Sequence, residues 1–147
     1  MPPCLDIYVR LPHLDPLQVE KFLDAQVANW REPDAWSAED ASASLQAGLS
    51  GSLSGETLYA SSSAVRSREL KCVMLAFPQD TGVVLGVSVD LAPGEDAALA
   101  LAERWLARLL DEVGAPQGFV QEEEPPPHTE AEWHAEMERA LTSRSRV

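Results

Sequence analysis

The sequence has few of the residues on which secreted, membrane-spanning and metal-binding proteins depend. It contains 2 cysteines, 3 histidines and 11 basic residues in 147 positions, and no apolar run approaches the roughly 18 residues that cross a bilayer. The start, MPPCLDIYV, lacks the basic region and long apolar run of a signal peptide. These absences predict a cytoplasmic protein with reduced cysteines. The alternative is a disulfide between Cys4 and Cys72, which requires that their strands are neighbours.

Positive charge is scarce enough to restrict the partners of this protein. The 24 acidic residues outweigh the 11 basic ones, which gives a net charge of −13 at pH 7. Between Arg108 and Arg139 there are nine carboxylates and neither lysine nor arginine. Such a surface repels nucleic acid and anionic membranes and attracts basic proteins. The simpler interpretation is that the charge keeps the protein soluble through self-repulsion.

Hydrophobic periodicity predicts an α+β domain. Residues 5–11 alternate apolar and polar side chains, as in a half-buried strand. An amphipathic stripe follows Pro93 and stops at Gly114, which is typical of a long helix with a glycine C-terminal stop. We expect strands at residues 5–11, 58–65, 70–77, 83–91 and 118–121, and helices at residues 15–30, 37–45, 93–113 and 129–141.

This element order predicts a two-layer fold. An antiparallel meander of four or five strands is expected to be packed by two main helices, followed by a short C-terminal helix. Residues 1–127 are expected to form a single domain, on which the helix and tail at 128–147 dock. Residues 58–65 are assigned to a sheet edge because their serines leave little apolar surface. Residues 143–147 are expected to be a frayed tail.

Motifs for catalysis and for cofactor binding are missing. The segment GSLSG places Leu53 where a nucleophile elbow requires serine, and the neighbouring glycines lack the Gly-Lys-Ser/Thr ending of a phosphate-binding loop. His134 shares a helical face with Glu130 and Glu138, but no pair of close zinc ligands accompanies it. We therefore expect no cofactor, no bound metal and no enzymatic activity.

One candidate pocket combines residues of two strands. Asp90 ends a strand just before the long helix, and strand ends of this kind often form pockets. Tyr8 and Arg10 share the polar face of the first strand and could contact a ligand there. The alternatives are that Asp90 bounds a turn and that Tyr8 and Arg10 face water or a covering helix.

Two segments are candidates for partner binding. Trp30, Arg31 and Trp36 lie together in a loop, and aromatic residues with arginine are typical of binding hot spots. The alternative is that both tryptophans anchor the loop on the sheet edge, because tryptophan is usually mostly buried. The second candidate is the acidic run Glu122, Glu123 and Glu124.

These observations favour a non-enzymatic binding or regulatory protein. A concrete form is an inhibitor of a basic effector in the manner of bacterial toxin-immunity proteins, an analogy that rests only on size, acidity and fold class. One alternative is a small-molecule binder or enzyme with a pocket near Asp90, Tyr8 and Arg10. The other is a structural subunit that forms a homodimer through residues 58–65 or through the last helix.

Overall fold

The computed structural model describes residues 4–37, 41–50, 58–78, 82–92, 94–122, 126–127 and 129–145. These residues form six strands and four α-helices, with a short 3₁₀ turn at Pro33–Ala35. In chain order the elements are β1 Cys4–Leu11, α1 Pro16–Gln26, α2 Ala41–Leu49, β2 Leu58–Ser62, β3 Cys72–Phe77, β4 Val83–Asp90, α3 Glu95–Val113, β5 Gln117–Glu122, α4 Glu130–Arg139 and β6 Thr142–Ser145. The predicted α+β class and the antiparallel sheet are confirmed.

The strand order of the sheet is β2-β3-β4-β1-β5-β6, and every described pairing is antiparallel. The sheet therefore has six strands rather than the four or five expected. Strands β2, β3 and β4 form a meander, but β1 lies between β4 and β5 instead of at one end. The first strand of the chain thus occupies a central position and has a neighbour on both sides.

One face of the sheet carries the main hydrophobic core. Apolar side chains of β1 at alternate positions, namely Leu5, Ile7, Val9 and Leu11, are buried on this face together with residues of α1 and α3. The stripe of α3 predicted from the sequence is the buried one, from Ala98 through Trp105 to Val113. We call this side of the sheet the α1/α3 face.

The opposite face is also covered, so the fold has three layers where two were predicted. Tyr8, Phe119 and Trp133 belong to a second buried cluster on this face, and Trp133 of α4 is 0% exposed. We call it the α4 face, and on β1 it carries Cys4, Asp6, Tyr8 and Arg10. Helix α4 therefore forms a third layer over part of the sheet.

Local signals explain where the helices begin and why α1 is shorter than predicted. Asp15 caps α1 by accepting a hydrogen bond from the Leu17 amide at 3.0 Å, as its place before a proline indicates. The helix ends at Gln26 instead of continuing to Trp30. The next residue, Val27, is extended and pairs with Val65. This tertiary contact ends the helix although the helical spacing of apolar residues continues to Trp30.

Three predicted boundaries differ from the observed ones. Helix α2 continues beyond the predicted end at residue 45 and includes Gly48. A side chain larger than hydrogen at Gly48 would collide with the ring of Phe77. Residues 143–145, expected to be frayed, belong to strand β6, where Ser143 pairs with Phe119. The strand exists because the outer edge of β5 offers unpaired backbone groups. Strand β2 is an edge strand as predicted, but it ends at Ser62.

The two cysteines do not lie on neighbouring strands. Cys4 of β1 is opposite Asp90 and Cys72 of β3 is opposite Ser88, so β4 separates them and neither cysteine forms a disulfide. Neighbouring strands are about 4.8 Å apart, which places the two Cα atoms beyond the roughly 7 Å that a disulfide can span.

Among the described helices, none combines the length and the apolar character that membrane crossing requires.

We predict that Gly118→Ala destabilises the fold by about 1–3 kcal/mol, the usual cost of inserting a methyl group into a packed site. An added Cβ would lie 2.9 Å from the Tyr8 carbonyl oxygen and 2.9 Å from Cγ1 of Val9, and the backbone carbonyl cannot move without disturbing the β1–β5 pairing. Urea unfolding of the variant measures the loss. The exposed control Ala97→Ser should keep the wild-type midpoint; equal midpoints for Gly118→Ala and wild type would contradict the close packing.

Candidate functional site

Polar side chains form a row across four strands on the α4 face. The strand pairings place Cys72 opposite Ser88, Ser88 opposite Asp6, and Asp6 opposite Gln121. Ser88, Asp6 and Gln121 are buried, and Cys72 is half-buried. The centre of the sheet therefore carries a line of hydrogen-bonding groups below its surface, which we call the polar row.

Asp6 is the acidic centre of the polar row. It is 5% exposed, and its Oδ1 atom accepts hydrogen bonds from the Ser88 hydroxyl at 2.5 Å and from the Cys4 thiol at 3.6 Å. A buried carboxyl group is costly unless such donors compensate it. Ser88 stands opposite Asp6 in the strand pairing and supplies a hydrogen-bond donor that the buried carboxyl group needs.

Two groups near Asp6, the Tyr8 hydroxyl and the Cys72 thiol, have raised pKa values. Burial is the main cause that raises the pKa of the Tyr8 hydroxyl, and the nearby Asp6 charge raises it further. Burial also raises the pKa of the Cys72 thiol, against a lowering contribution from its hydrogen bond with Ser88. At neutral pH Cys72 is therefore a thiol rather than a thiolate, and a thiol is a weak nucleophile and metal ligand.

Helix α4 covers the other end of this face. Trp133 packs against Phe119 with ring centroids 4.7 Å apart, and its indole N–H donates to Oε1 of Gln117 at 3.2 Å. Arg10 is 5% exposed beneath this helix, and Nη1 of Arg10 lies 3.8 Å from Oε1 of Glu130. An apolar anchor and a partly buried ion pair together fix the first half of α4.

The second half of α4 is held by Gln121 of the polar row. Its side-chain amide donates to the Glu136 carbonyl oxygen at 3.3 Å and also to the Glu136 carboxylate. The same carboxylate pairs with Arg139 at 2.8 Å. Gln121, Glu122, Glu136, Arg139 and Leu141 line a cavity of about 320 Å³ beside this end of the helix.

The three residues of the predicted pocket are not brought together. Arg10 is opposite Val84 and Asp90 is opposite Cys4, six residues further along β1, which separates them by about 20 Å at the rise of an antiparallel strand. Asp90 accepts a hydrogen bond from the Ala92 amide at 3.0 Å, as a residue that bounds a turn does. Tyr8 and Arg10 lie beneath α4 and belong to its docking surface.

The tryptophans of the predicted hot spot are buried within the fold. Trp30 and Trp36 are 4% and 6% exposed; the Trp36 indole N–H donates to the Trp30 carbonyl at 2.8 Å, and the Trp30 indole N–H donates to Asp24 at 2.7 Å. The following residue, Ser37, donates its amide to the Ser61 carbonyl on the outer edge of β2. These contacts match the alternative interpretation, in which the tryptophans anchor the loop to the sheet edge.

Of the three residues in the predicted hot spot, Arg31 is the exposed one. Its side chain is 64% exposed, lies 4.1 Å from the centre of the Trp30 ring and pairs with Asp24 at 3.5 Å. Glu122 is exposed at the end of β5, opposite Leu5. Glu123 and Glu124 lie outside the described residues.

Helix α4 presents carboxylates to solvent, an arrangement that the sequence analysis did not single out. Thr129 caps the helix by accepting a hydrogen bond from the Glu132 amide at 3.1 Å, as the capping box predicts. Burial of Trp133 then leaves Glu130, Glu132 and Glu138 exposed. The spacing of these glutamates relative to Trp133 was the available signal, since a helix with one buried stripe exposes its other faces.

Searches of protein-family models, curated proteins and solved structures find no match to this chain. Across the described part of the chain, no three histidine, cysteine, aspartate or glutamate side chains are grouped so as to hold a metal ion.

Replacing Tyr8 by Phe should remove part of the alkaline loss of stability. Below pH 10 Tyr8 is protonated in both states. Above pH 10 Tyr8 ionises in the unfolded state, whereas in the folded state it keeps its proton because its pKa is raised. The free energy of unfolding therefore falls by about 1.4 kcal/mol for each pH unit above 10. Unfolding free energies from pH 7 to 11 should diverge between wild type and Tyr8→Phe above pH 10.

At pH 7 the same substitution should cost less than about 1 kcal/mol, because the hydroxyl donates to the Met74 sulfur at 3.6 Å and a thioether sulfur is a weak acceptor. Tyr59→Phe is the matched control, since Tyr59 is 45% exposed and should alter the alkaline slope less. Identical pH profiles for wild type and Tyr8→Phe would show that the buried hydroxyl does not set this dependence.

Proposed function

We propose that this protein is a non-enzymatic binding protein that engages a basic protein partner through the acidic surface of α4. We define this acidic surface as Glu122, Glu130, Glu132, Glu136 and Glu138. The observation that carries the proposal is that these carboxylates surround a helix fixed to the sheet by the fully buried Trp133. The surface combines concentrated negative charge with a rigid support.

The cations of the protein balance this surface only in part. Glu136 pairs with Arg139, and Glu130 lies within ion-pair distance of Arg10. Glu122 and Glu138 are exposed and form no ion pair within the described ranges. Lysine or arginine side chains of a partner would supply the missing positive charge, and electrostatic complementarity of this kind favours specific and rapid association.

The anchoring of α4 also reduces the entropic cost of binding. A helix that became ordered only on association would lose conformational freedom at that moment, whereas a docked helix has already lost it. The capping hydrogen bond from the Glu132 amide to Thr129 and the Gln121–Glu136 contact hold both ends of α4 in place. The carboxylates are therefore presented with little rearrangement of the backbone.

The same negative charge disfavours self-association of the protein through this surface. A second copy would bring an equally acidic helix to α4, and like charges repel. The β2 edge is also partly occupied, because the Ser61 carbonyl accepts the Ser37 amide. A concrete form of the proposal is an inhibitor that covers a basic effector in a bacterial cytoplasm, by analogy with toxin-immunity proteins.

The test begins with capture of partners from the native cell on immobilised protein at low salt, followed by elution with increasing salt. For the purified partner, the association rate should fall about tenfold or more between low and high salt, as electrostatic steering requires. The variant Glu122→Gln/Glu132→Gln/Glu138→Gln should bind that partner about tenfold more weakly, because three exposed charge contacts of a few tenths to about 1 kcal/mol each are removed.

A matched variant removes the same charge elsewhere. Glu32→Gln/Asp34→Asn/Glu95→Gln neutralises three exposed carboxylates away from α4 and should retain wild-type affinity within about twofold, since distant exposed charges are largely screened. If both variants lose the same affinity, net charge rather than this surface is responsible. An association rate that does not change with salt would also contradict the proposal.

A further inference from the structure

A groove on the layer opposite α4 combines opposite charges with an apolar wall. Leu101, Arg104, Trp105 and Arg108 form one stripe along α3, and Glu69 of the segment before β3 lies across from them. The groove has a volume of about 230 Å³, below the roughly 300–1,000 Å³ of pockets for drug-sized ligands. Any ligand that fits here is therefore small.

The two arginines present donors to this groove. Arg104 has no hydrogen-bond or ion-pair partner within the described residues, and Arg108 uses Nε for Glu112 at 2.7 Å while its guanidinium lies 4.5 Å from the centre of the Trp105 ring. The terminal nitrogens of Arg108 thus remain available. Residues four apart on a helix have Cβ atoms about 5–6 Å apart, and forked guanidinium donors match the oxygens of a carboxylate.

Glu69 makes the groove different from a simple anion site. One oxygen of its side chain accepts a hydrogen bond from the Trp105 indole N–H at 3.2 Å, and the second oxygen can accept from another donor. A purely anionic ligand would meet repulsion from Glu69 and from a protein of net charge −13. A zwitterion has no net charge, so it escapes the long-range repulsion and satisfies both signs of local charge.

We propose that this groove binds a small zwitterion, an α-amino acid with an apolar side chain. Arg104 and Arg108 bind its carboxylate, Glu69 accepts hydrogen bonds from its ammonium group, and Leu101 contacts its side chain. Binding here is independent of the basic protein partner, because α3 and α4 cover opposite faces of the sheet.

L-Leucine and two fragments of it test the assignment. 4-Methylpentanoate keeps the carboxylate without the ammonium group, and 3-methylbutylamine keeps the ammonium group without the carboxylate. Titrations are followed by the NMR signal of the Trp105 indole N–H, identified by its loss in Trp105→Phe. Leucine should shift this signal with a dissociation constant of about 1 mM, a value reasonable for a ligand of so few atoms, and both fragments should bind at least about tenfold more weakly.

Variants separate the two charged contacts. Arg104→Gln should weaken leucine binding about tenfold, the loss expected for a charge-assisted contact, while leaving 3-methylbutylamine unchanged; Glu69→Gln should weaken the amine and leucine but not 4-methylpentanoate. Arg139→Gln, an exposed cation on the other side of the sheet, should bind leucine as wild type does. Equal binding of all three compounds, an unchanged leucine affinity in Arg104→Gln, or no shift up to about 20 mM leucine would overturn the proposal.

Discussion

The burial of β1 on both faces is the constraint from which the rest of this structure follows. Its odd-numbered residues Leu5 to Leu11 are apolar and enter the core formed with α1 and α3, as a strand with one buried face requires. Its even-numbered residues include Asp6, Tyr8 and Arg10, and these are buried as well. Polar groups in such a position must find partners, because an unpaired buried polar group costs about 1–3 kcal/mol.

Three surrounding elements supply such partners. Strand β4 brings Ser88 to Asp6, strand β3 brings the Met74 sulfur to the Tyr8 hydroxyl, and helix α4 brings Glu130 to Arg10. The position of α4 is thus tied to the polar side of β1 as well as to the aromatic contact of Trp133. The acidic surface proposed to bind a partner is consequently the outer side of an element whose inner side completes the fold.

The two layers that cover the sheet differ in the balance of their charges. Helix α4 has four glutamates and one arginine, whereas the groove on α3 has two arginines that face one glutamate. Charge interactions between exposed groups decay over about 10 Å at 0.1 M salt. A protein with a strongly negative net charge can therefore contain a local region that favours ligands of a different charge. The sheet lies between the α4 surface and the α3 groove and separates the two regions.

The sequence by itself determined the strand periodicity of β1, the caps at Asp15 and Thr129, the αL stop at Gly114 and the excess of acid, because these features arise from residues close together in the chain. Only the tertiary structure decided that β1 lies between β4 and β5, that residues 142–145 pair as a strand, and that Asp90 and Arg10 lie far apart. Strand order and the covering of a second face depend on contacts between residues far apart in the chain, such as Leu5 and Glu122. Local patterns predict that a strand has a polar side, but they do not show what covers it.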